Sequence, residues 1–393
     1  MPDTTEGVLF EPEPLPQPLV EPPTPSAPES IPVTASRQRR TWGWGALGLS
    51  ALVGAAVAAG TLLFFGDVAG TSTTTVAAPV SGSALPSSQA AIVAARVIPS
   101  IVTVEVDSTG GDEFVADATG SGVVLDATGT IITNHHVVEG AQSVRVLFSD
   151  GRSYTATVVG QDALTDLAVL DIDTAGLTPI VLGSSESMSI GDLTIAVGSP
   201  LGLEGGPSVT VGVLSAFDRR VRTSSDSELF GLLQTDAPIT RGSSGGALVD
   251  GEGRLIGITS AIAVSDVGAE GLGFAIPVEM VQRITADLIA DGVSAHPFLG
   301  ISGSTYFETR PDGALAPAGI EVAEVIPETA AADAGLQAGD VIVGLAGEPI
   351  LTMERLVVRL RYYRVGDSID LDVRRDGAPL IVTVILLERP VGV

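Results

Sequence analysis

Short apolar runs separated by turn residues fill the middle of the chain. Segments such as SIVTVEVD and SVRVLFSDGRSYTATVV are typical of strands, and the turn signals at 126–129 and 250–253 separate further runs. A helical pattern comes only in PVEMVQRITADLIADG, with Pro277 at its start and Gly292 past its end. The pattern predicts a mainly β domain, and similar strand spacing also suits a β-sandwich.

The last hundred residues have a different pattern, in which strands surround one amphipathic helix. Leu356, Val357 and Leu360 share a face of that helix. We therefore predict two folded domains, one over residues 91–292 and a smaller one over residues 293–393.

The N-terminal part predicts a membrane anchor. Residues 43–65 carry no charge, and a helix of that length spans about 35 Å, enough for a bilayer core. Arginines between 37 and 40 precede the run, so residues 37–66 are predicted to be a basic flank and a transmembrane helix, with the N-terminus cytoplasmic and the two domains extracytoplasmic. A cleaved signal peptide is the alternative, disfavoured by the length of the run and of its leader.

Two further segments and the net charge complete the outline. Residues 1–36 hold six acids, no base and many prolines, which predicts a disordered acidic tail. Residues 67–90 are rich in Ser, Thr, Ala, Pro and Gly, which predicts a flexible linker. The net charge of −27 repels nucleic acid, so we expect no nucleic-acid partner.

The candidate catalytic residue is a serine flanked by glycines, in the segment Gly-Ser-Ser-Gly-Gly at 242–246. In QTDAPITRGSSGGALVD the glycines allow successive backbone N–H groups to point at one spot, as a developing oxyanion requires. A serine needs a base to act as a nucleophile. The chain has no cysteine and no lysine, which excludes cysteine nucleophiles, disulfides and a Ser-Lys dyad. The base must then be one of the three histidines, His135, His136 and His296.

The order of candidate residues separates two classes of hydrolase. His135 and His136 end an apolar run, and neighbours on extended chain point to opposite sides, so only one can face the serine. Asp166 precedes an apolar run and can orient a histidine, giving the order His, Asp, Ser. The glycine-serine pattern also fits the α/β-hydrolase elbow, whose histidine follows the serine and would be His296. That fold needs alternating helices and strands, which are missing.

The blocks TNHHVV, TDLAVL and QTDAPITRGSSGGALVD resemble the three catalytic blocks of the HtrA (high-temperature requirement) family of trypsin-like serine proteases. Over roughly residues 88–393 this resemblance implies a chymotrypsin-like fold of two six-stranded β-barrels. It implies His136 as general base, Asp166 as the orienting carboxylate and Ser244 as nucleophile, with no metal and no cofactor.

The resemblance also implies an oxyanion hole at Gly242, Ser243 and Ser244, in which the N–H groups of the first and third residues donate. The chain departs from the family's usual Asn-Asn-His at 134–136, where it has Asn-His-His, and from Gly-Asn-Ser at 242–244, where it has Gly-Ser-Ser. Both changes keep a small or polar residue, so we expect activity to be retained.

Specificity is indicated by the residues around the first substrate pocket. Enzymes of this class that cut after basic residues carry an acid six positions before the nucleophile, and this chain has Pro238 there. Ile239 and Ile262 match the family's pocket-lining positions and imply a small apolar pocket, which discriminates by only about 1–3 kcal/mol per methylene. The alternative is that both isoleucines are core residues.

The C-terminal domain resembles a PDZ domain of the kind joined to HtrA proteases, most specifically in AGLQAGDVIVGLAGEPI. This implies that Phe298, Leu299, Gly300 and Ile301 form a carboxylate-binding loop, where a peptide C-terminus adds as a strand. No arginine stands beside the loop in sequence, so backbone N–H groups are expected to suffice. The alternative is a module that only packs against the protease.

Together these features predict a membrane-anchored, extracytoplasmic serine endopeptidase. The resemblance implies cleavage of misfolded or unfolded proteins after small or medium apolar residues, in protein quality control and the stress response. It also implies a homotrimer, with loops around 219–229 and 238–243 that switch the activity. The alternative from another class is a non-catalytic PDZ scaffold or chaperone on a protease fold.

Overall fold

The computed structural model describes residues 88–111, 113–199, 206–222, 228–260 and 272–389. The predicted acidic tail, the predicted anchor and nearly all of the predicted linker lie outside these ranges. Within the described part of the chain, no helix is long and apolar enough to cross a membrane.

The first domain opens with a closed barrel of six antiparallel strands in the order β1-β2-β3-β6-β5-β4. Its core is built from branched aliphatic side chains, among them Val104, Ile131 and Leu170, none of which is exposed. Such side chains pack well on a pleated sheet. The strands are β1 (Ile101–Asp107), β2 (Ala118–Val124), β3 (Thr130–Thr133), β4 (Ser143–Phe148), β5 (Ser153–Asp162) and β6 (Leu167–Ile172).

Seven strands form the second half of this domain. Six of them run β11-β8-β9-β10-β13-β12, and pairing between β11 and β12 closes the ring. The prediction of two six-stranded barrels is thus confirmed, with β7 added in parallel to β12. The strands are β7 (Val181–Leu182), β8 (Leu193–Gly198), β9 (Ser208–Arg222), β10 (Glu228–Thr235), β11 (Ala247–Asp250), β12 (Arg254–Ser260) and β13 (Gly273–Pro277).

Among the described residues, three α-helices belong to this domain, α1 (Gln89–Val97), α2 (His135–Val138) and α3 (Val278–Asp291), and a 3-10 turn at Ile98–Ser100 follows α1. The Ser88 side chain caps α1, which therefore begins just inside the predicted linker. The predicted helix is α3, with Pro277 at its N-cap and Gly292 in the left-handed conformation that ends it.

The C-terminal domain wraps a five-stranded sheet around one longer helix. The sheet order is β15-β16-β17-β19-β20, with β18 paired to β17 and β14 paired to β21. Its elements are β14 (Pro297–Phe298), β15 (Ile301–Thr309), β16 (Leu315–Val325), α4 (Ala330–Asp333), β17 (Val341–Leu345), β18 (Glu348–Pro349), α5 (Met353–Leu360), β19 (Ser368–Arg375), β20 (Ala378–Ile385) and β21 (Leu387–Glu388).

The helix α5 also packs against β9 and β10 of the second barrel. One ion pair and one hydrogen bond cross the same junction: Arg355 Nη1 lies 2.6 Å from Asp218 Oδ2, and His296 Nε2 lies 2.9 Å from Asp162 Oδ1. The peptide-binding face expected of a PDZ domain therefore borders the protease domain.

Candidate functional site

The two adjacent histidines lie in α2, directly after β3. They occupy a single helical turn, so the expectation of extended chain at this point was wrong, although the two side chains still diverge. His136 Nδ1 lies 2.8 Å from Asp166 Oδ1. His135 turns away, with its Nδ1 3.2 Å from Gln161 Oε1. The structure thus pairs only His136 with the predicted aspartate.

Asp166 lies at the start of β6 and is 3 % exposed. Its φ of 60° is in the left-handed region, which aspartate tolerates better than most residues. The carboxylate accepts hydrogen bonds from the backbone N–H of His136 at 3.1 Å and from Ser260 Oγ at 3.1 Å, besides the His136 ring. The Asp166 carbonyl accepts from Asn134 Nδ2 at 2.8 Å. These bonds hold the imidazole so that a neutral ring keeps Nε2 as its acceptor.

The loop that carries Ser244 joins β10 to β11, and Ser244 is 5 % exposed. Gly245 has a φ of 83°, and a Cβ there would lie 2.1 Å from the Ser121 carbonyl oxygen, so only glycine fits. Gly245 N donates to the Thr259 carbonyl at 2.9 Å, and Thr259 Oγ1 donates to the Ser243 carbonyl at 2.6 Å. The loop is therefore fastened to β12.

Strand β12 connects the serine loop to the aspartate. Thr259 holds the loop around Ser244, while the next residue, Ser260, donates to Asp166. His136 and Asp166 are thus in direct contact, and the loop with Ser244 is tied to the same strand that touches Asp166.

Ser121, in β2 of the first barrel, is a functional residue that sequence reasoning missed. It is fully buried, its N–H donates to the Ser244 carbonyl at 2.7 Å, and its Oγ donates to the Gly242 carbonyl at 2.7 Å. The same Oγ accepts from Ser199 N at 2.8 Å. One serine therefore fixes the backbone on both sides of the predicted oxyanion hole. Its place between Gly120 and Gly122 was the only signal in the sequence.

The three residues of the predicted oxyanion hole differ in their backbone bonds. Ser243 N donates to the Thr240 carbonyl at 2.9 Å, so in this conformation that N–H does not serve an oxyanion. Gly242 has a φ of 86°, a conformation that favours glycine. The donor role of the Gly242 and Ser244 N–H groups, which the resemblance assigns, stays a prediction.

A cavity of about 220 Å³ lies beside this loop. Pro238, Thr240 and Ser243 are among the residues that line it. Ile239 instead packs into the core of the second barrel and is 7 % exposed, as the alternative interpretation had it. Ile262 lies outside the described residues.

The four predicted loop residues of the C-terminal domain all line a groove of about 540 Å³. The loop is fixed by its carbonyls, since Leu299 O accepts from Ala331 N at 2.8 Å and Gly300 O accepts from Ile326 N at 2.9 Å. The protease domain supplies part of the groove wall through Leu164, Glu228 and Phe230. The predicted residues thus gather at one site, and that site spans both domains.

His296 lies at the domain junction, bound to Asp162. The α/β-hydrolase alternative is wrong, because the domain consists of antiparallel barrels and not of a doubly wound parallel sheet.

Comparison with known proteins gives the class. A family model described as a trypsin-like peptidase domain matches residues 120–258, and a PDZ domain model matches residues 297–386. Together with the two barrels they define a trypsin-like peptidase domain joined to a PDZ domain.

Individual relatives give the family. The chain is 40 % identical over 285 residues to serine protease PepD of Mycobacterium tuberculosis, covering 63 % of this chain and 60 % of that protein. It is 35 % identical over 318 residues to the periplasmic pH-dependent serine endoprotease DegQ of Escherichia coli, covering 74 % and 68 %. A solved structure, the HtrA-type protease AlgW with tripeptide, aligns over 77 % of this chain and 97 % of its own at 33 % identity and a TM-score of 0.62.

The chain belongs to the HtrA family of serine proteases. It spans about 60 % of the length of PepD and 58 % of the periplasmic serine endoprotease DegP of Salmonella typhimurium.

Proposed function

We propose that this chain is a serine endopeptidase in which His136 is the general base, Asp166 orients it and Ser244 is the nucleophile. The observation that carries the proposal is the bond of 2.8 Å between His136 Nδ1 and Asp166 Oδ1. The chain's membership in a family of serine proteases supports it. So does β12, which ties the Ser244 loop to Asp166.

The mechanism follows from these positions. His136 Nε2 takes the proton of Ser244 Oγ as the oxygen attacks the scissile carbonyl. The N–H groups of Gly242 and Ser244 stabilise the oxyanion that forms. Protonated His136 then donates its proton to the leaving amine, which releases the first product and leaves an acyl-enzyme. A water molecule activated by His136 hydrolyses that ester and restores Ser244.

We further propose unfolded or misfolded protein chains as substrates, cut after small or medium apolar residues. Pro238 beside the serine loop offers no charge to a basic side chain. The groove at Phe298–Ile301 would receive peptide C-termini. Relatives are named periplasmic endoproteases, which supports an extracytoplasmic location. Anchoring by residues 43–65 and assembly as a homotrimer with switching loops complete the proposal.

The test is labelling with a fluorophosphonate and cleavage of casein by the detergent-solubilised full chain. Ser244→Ala should abolish both, with a loss on the order of a million-fold in kcat. Ser243→Ala is the matched control, since it removes the neighbouring hydroxyl, and it should keep the labelling. If Ser243→Ala lost the labelling while Ser244→Ala kept it, Ser243 and not Ser244 would be the nucleophile. No labelling of the parent, with or without added peptide, would favour the scaffold alternative.

The adjacent histidines provide a second matched pair. His136→Ala should reduce kcat about as much as Ser244→Ala, because the two groups act as a unit. His135→Ala removes a ring whose contacts with described residues are a hydrogen bond to Gln161 and a distance of 3.9 Å to Glu139, and the variant should stay close to the parent. The opposite result would assign His135 as the base.

A further inference from the structure

Arg361 is a buried cation for which the part of the chain that the structure describes supplies no hydrogen-bond acceptor. It directly follows α5, lines the groove and is 7 % exposed. Its guanidinium carbon lies 5.2 Å from the centre of the Phe230 ring, which belongs to the protease domain. Among the described residues, no carboxylate or carbonyl accepts a hydrogen bond from this guanidinium. Burial lowers the pKa of Arg361 to about 10, so the group remains charged at neutral pH.

The two arginines within α5 differ from Arg361 because each is paired with a carboxylate. Arg355 is bound to Asp218 at 2.6 Å, and Arg359 is paired with Glu348. Both are more exposed than Arg361, so the most buried of the three is the one that lacks a carboxylate. The described side-chain nitrogens that are buried without a partner do not include those of Arg361, so its guanidinium keeps contact with the groove although most of the residue is buried. Its N–H donors can therefore meet an acceptor that lies in the groove.

The charges around Arg361 favour an anionic partner. Arg389 lines the same groove, and Arg283 lies near enough to repel Arg361. Asp162 attracts Arg361, but its carboxylate oxygens are already bonded to His296 and Thr165. The groove's acid, Glu228, is held by Arg220 at 2.6 Å. In a chain with a net charge of −27, the described lining of this groove thus contains two arginines and one carboxylate, the paired Glu228.

We propose that Arg361, stacked on Phe230, binds the carboxylate of a peptide that lies in this groove. The proposal rests on the proposed recognition of peptide C-termini and assigns the charge-reading role to a side chain remote from the Phe298–Ile301 loop in sequence. Leu356, Val357 and Leu360 supply the apolar wall for the peptide's side chains. The carboxylate comes from the peptide's C-terminus or from an acidic side chain near it, and both present the two oxygens that a guanidinium binds in parallel.

The experiment measures peptide affinity by fluorescence anisotropy on the full chain carrying Ser244→Ala, so that the peptide is not cut. Three labelled decapeptides share one sequence: a free acid ending in valine, its C-terminal amide, and an amide ending in aspartate. The protein variants are Arg361→Gln, Arg361→Met and Arg361→Lys, with Arg359→Gln as the matched control on the same helix. The methionine variant removes the charge without leaving a buried polar group, and it should fold.

The parent should bind the free acid at least about ten-fold more tightly than the valine amide. This preference should vanish in Arg361→Gln and Arg361→Met, persist in part in Arg361→Lys, and be unchanged in Arg359→Gln. If the amide ending in aspartate also binds tightly and loses affinity in Arg361→Gln, the site accepts a side-chain carboxylate as well.

Three results would overturn the inference. A preference for the free acid that survives in Arg361→Gln and Arg361→Met would assign carboxylate recognition to the loop alone and leave the proposed function intact. Equal binding of acid and amide by the parent would mean that neither Arg361 nor the loop reads the carboxylate, and it would also overturn the proposed recognition of peptide C-termini. Absence of any peptide binding would overturn both this inference and the recognition part of the proposed function, while fluorophosphonate labelling would still report on the protease.

Discussion

Asp166 and Arg361 are both buried charges, and they are compensated in opposite ways. Asp166 is 3 % exposed and accepts hydrogen bonds from the His136 backbone, the His136 ring and Ser260. Arg361 is 7 % exposed and meets an aromatic ring, with no acceptor among the described residues. The pair at the protease cleft is complete before a substrate arrives. In the groove, by contrast, the proposed acceptor for Arg361 is the carboxylate of a bound peptide.

This difference matters because a preorganised charge and an unpaired charge respond differently to mutation. Removing a partner from a satisfied centre leaves a buried group without its bonds. Removing an unpaired buried charge does not destabilise the folded protein. Its main effect is then expected on the affinity for the bound peptide. Changes at the cleft should therefore act on turnover, while changes at Arg361 should act on peptide affinity.

After Ser244→Ala and His136→Ala, the largest effect is expected for Asp166→Asn. The amide is close in size but presents an N–H₂ group where the carboxylate accepts from the ring, so it favours the wrong tautomer of His136. We expect kcat to fall on the order of 10⁴-fold. Steady-state cleavage of a peptide substrate checks this, and circular dichroism checks folding.

Ser260→Ala is the matched control for that variant, because it removes one of the donors to Asp166 and keeps the carboxylate. Its loss of kcat should be far smaller. Equal losses of kcat in the two variants would mean that catalysis depends on the hydrogen bonds donated to Asp166 and not on its role as acceptor for the His136 ring.

Ser121→Ala should give the next largest effect. The substitution removes the hydroxyl that holds the Gly242 carbonyl and accepts from Ser199 N. Because Gly242 is a proposed oxyanion donor, kcat should fall on the order of 10- to 100-fold, less than for loss of a direct donor. KM should stay near the parent value, as expected for a group that acts only in the transition state.

Thr103→Val serves as the control for Ser121. Thr103 is also buried, and its hydroxyl contacts Ser199 Oγ at 2.5 Å. It does not touch the loop around Ser244, so kcat should be retained. A parallel rise in KM, or an equal loss in Thr103→Val, would show that Ser121 acts through general stability and does not position the loop.

The protease domain was largely predictable from the sequence. Alternation of apolar residues predicted the barrel strands, and Pro277 with Gly292 gave the ends of α3, because these signals are local. The resemblance to the HtrA family, and not a local signal, paired His136 with Asp166, which are in contact in the structure. The same resemblance assigned Ile239 to the substrate pocket, whereas the structure has it packed in the barrel core, the alternative interpretation.

The groove could not be predicted in this way, because its residues come from distant parts of the chain. Phe230 and Arg361 are 131 positions apart and belong to different domains. Ser121 and Gly242 are similarly remote, with 121 positions between them. Neither pair carries a periodic signal, so only the packing of one domain or barrel against another brings them together.

Asp162→Asn tests the hydrogen bond between Asp162 and His296 at the junction of the two domains. Burial would raise the pKa of Asp162, but hydrogen bonds and the charge of His296 outweigh it, so the pKa is lowered. At pH 7 the variant should lose about 2 kcal/mol of unfolding free energy.

The pH dependence follows from the lowered pKa. A carboxyl group whose pKa is lowered by folding stabilises the folded protein at pH values above its pKa in the unfolded chain, about 3.9, and this contribution disappears as the pH falls through its pKa in the folded protein. Denaturant unfolding of both proteins should therefore show a difference that shrinks below about pH 4. A constant difference would contradict the role of the charge.

The smallest effect is expected for Arg355→Ala, which removes the ion pair between Arg355 and Asp218 across the junction. Arg355 and Asp218 lie 2.6 Å apart, but their side chains are 42 % and 36 % exposed, so water and salt screen them. Such a pair contributes no more than about 0.5 kcal/mol, which predicts a shift in Tm below about 2 °C. Thermal unfolding at low and at 1 M salt measures it, and the shift should be absent at high salt. A drop larger than that of Asp162→Asn would mean that the exposed pair, and not the buried contact of His296, holds the groove against the protease domain.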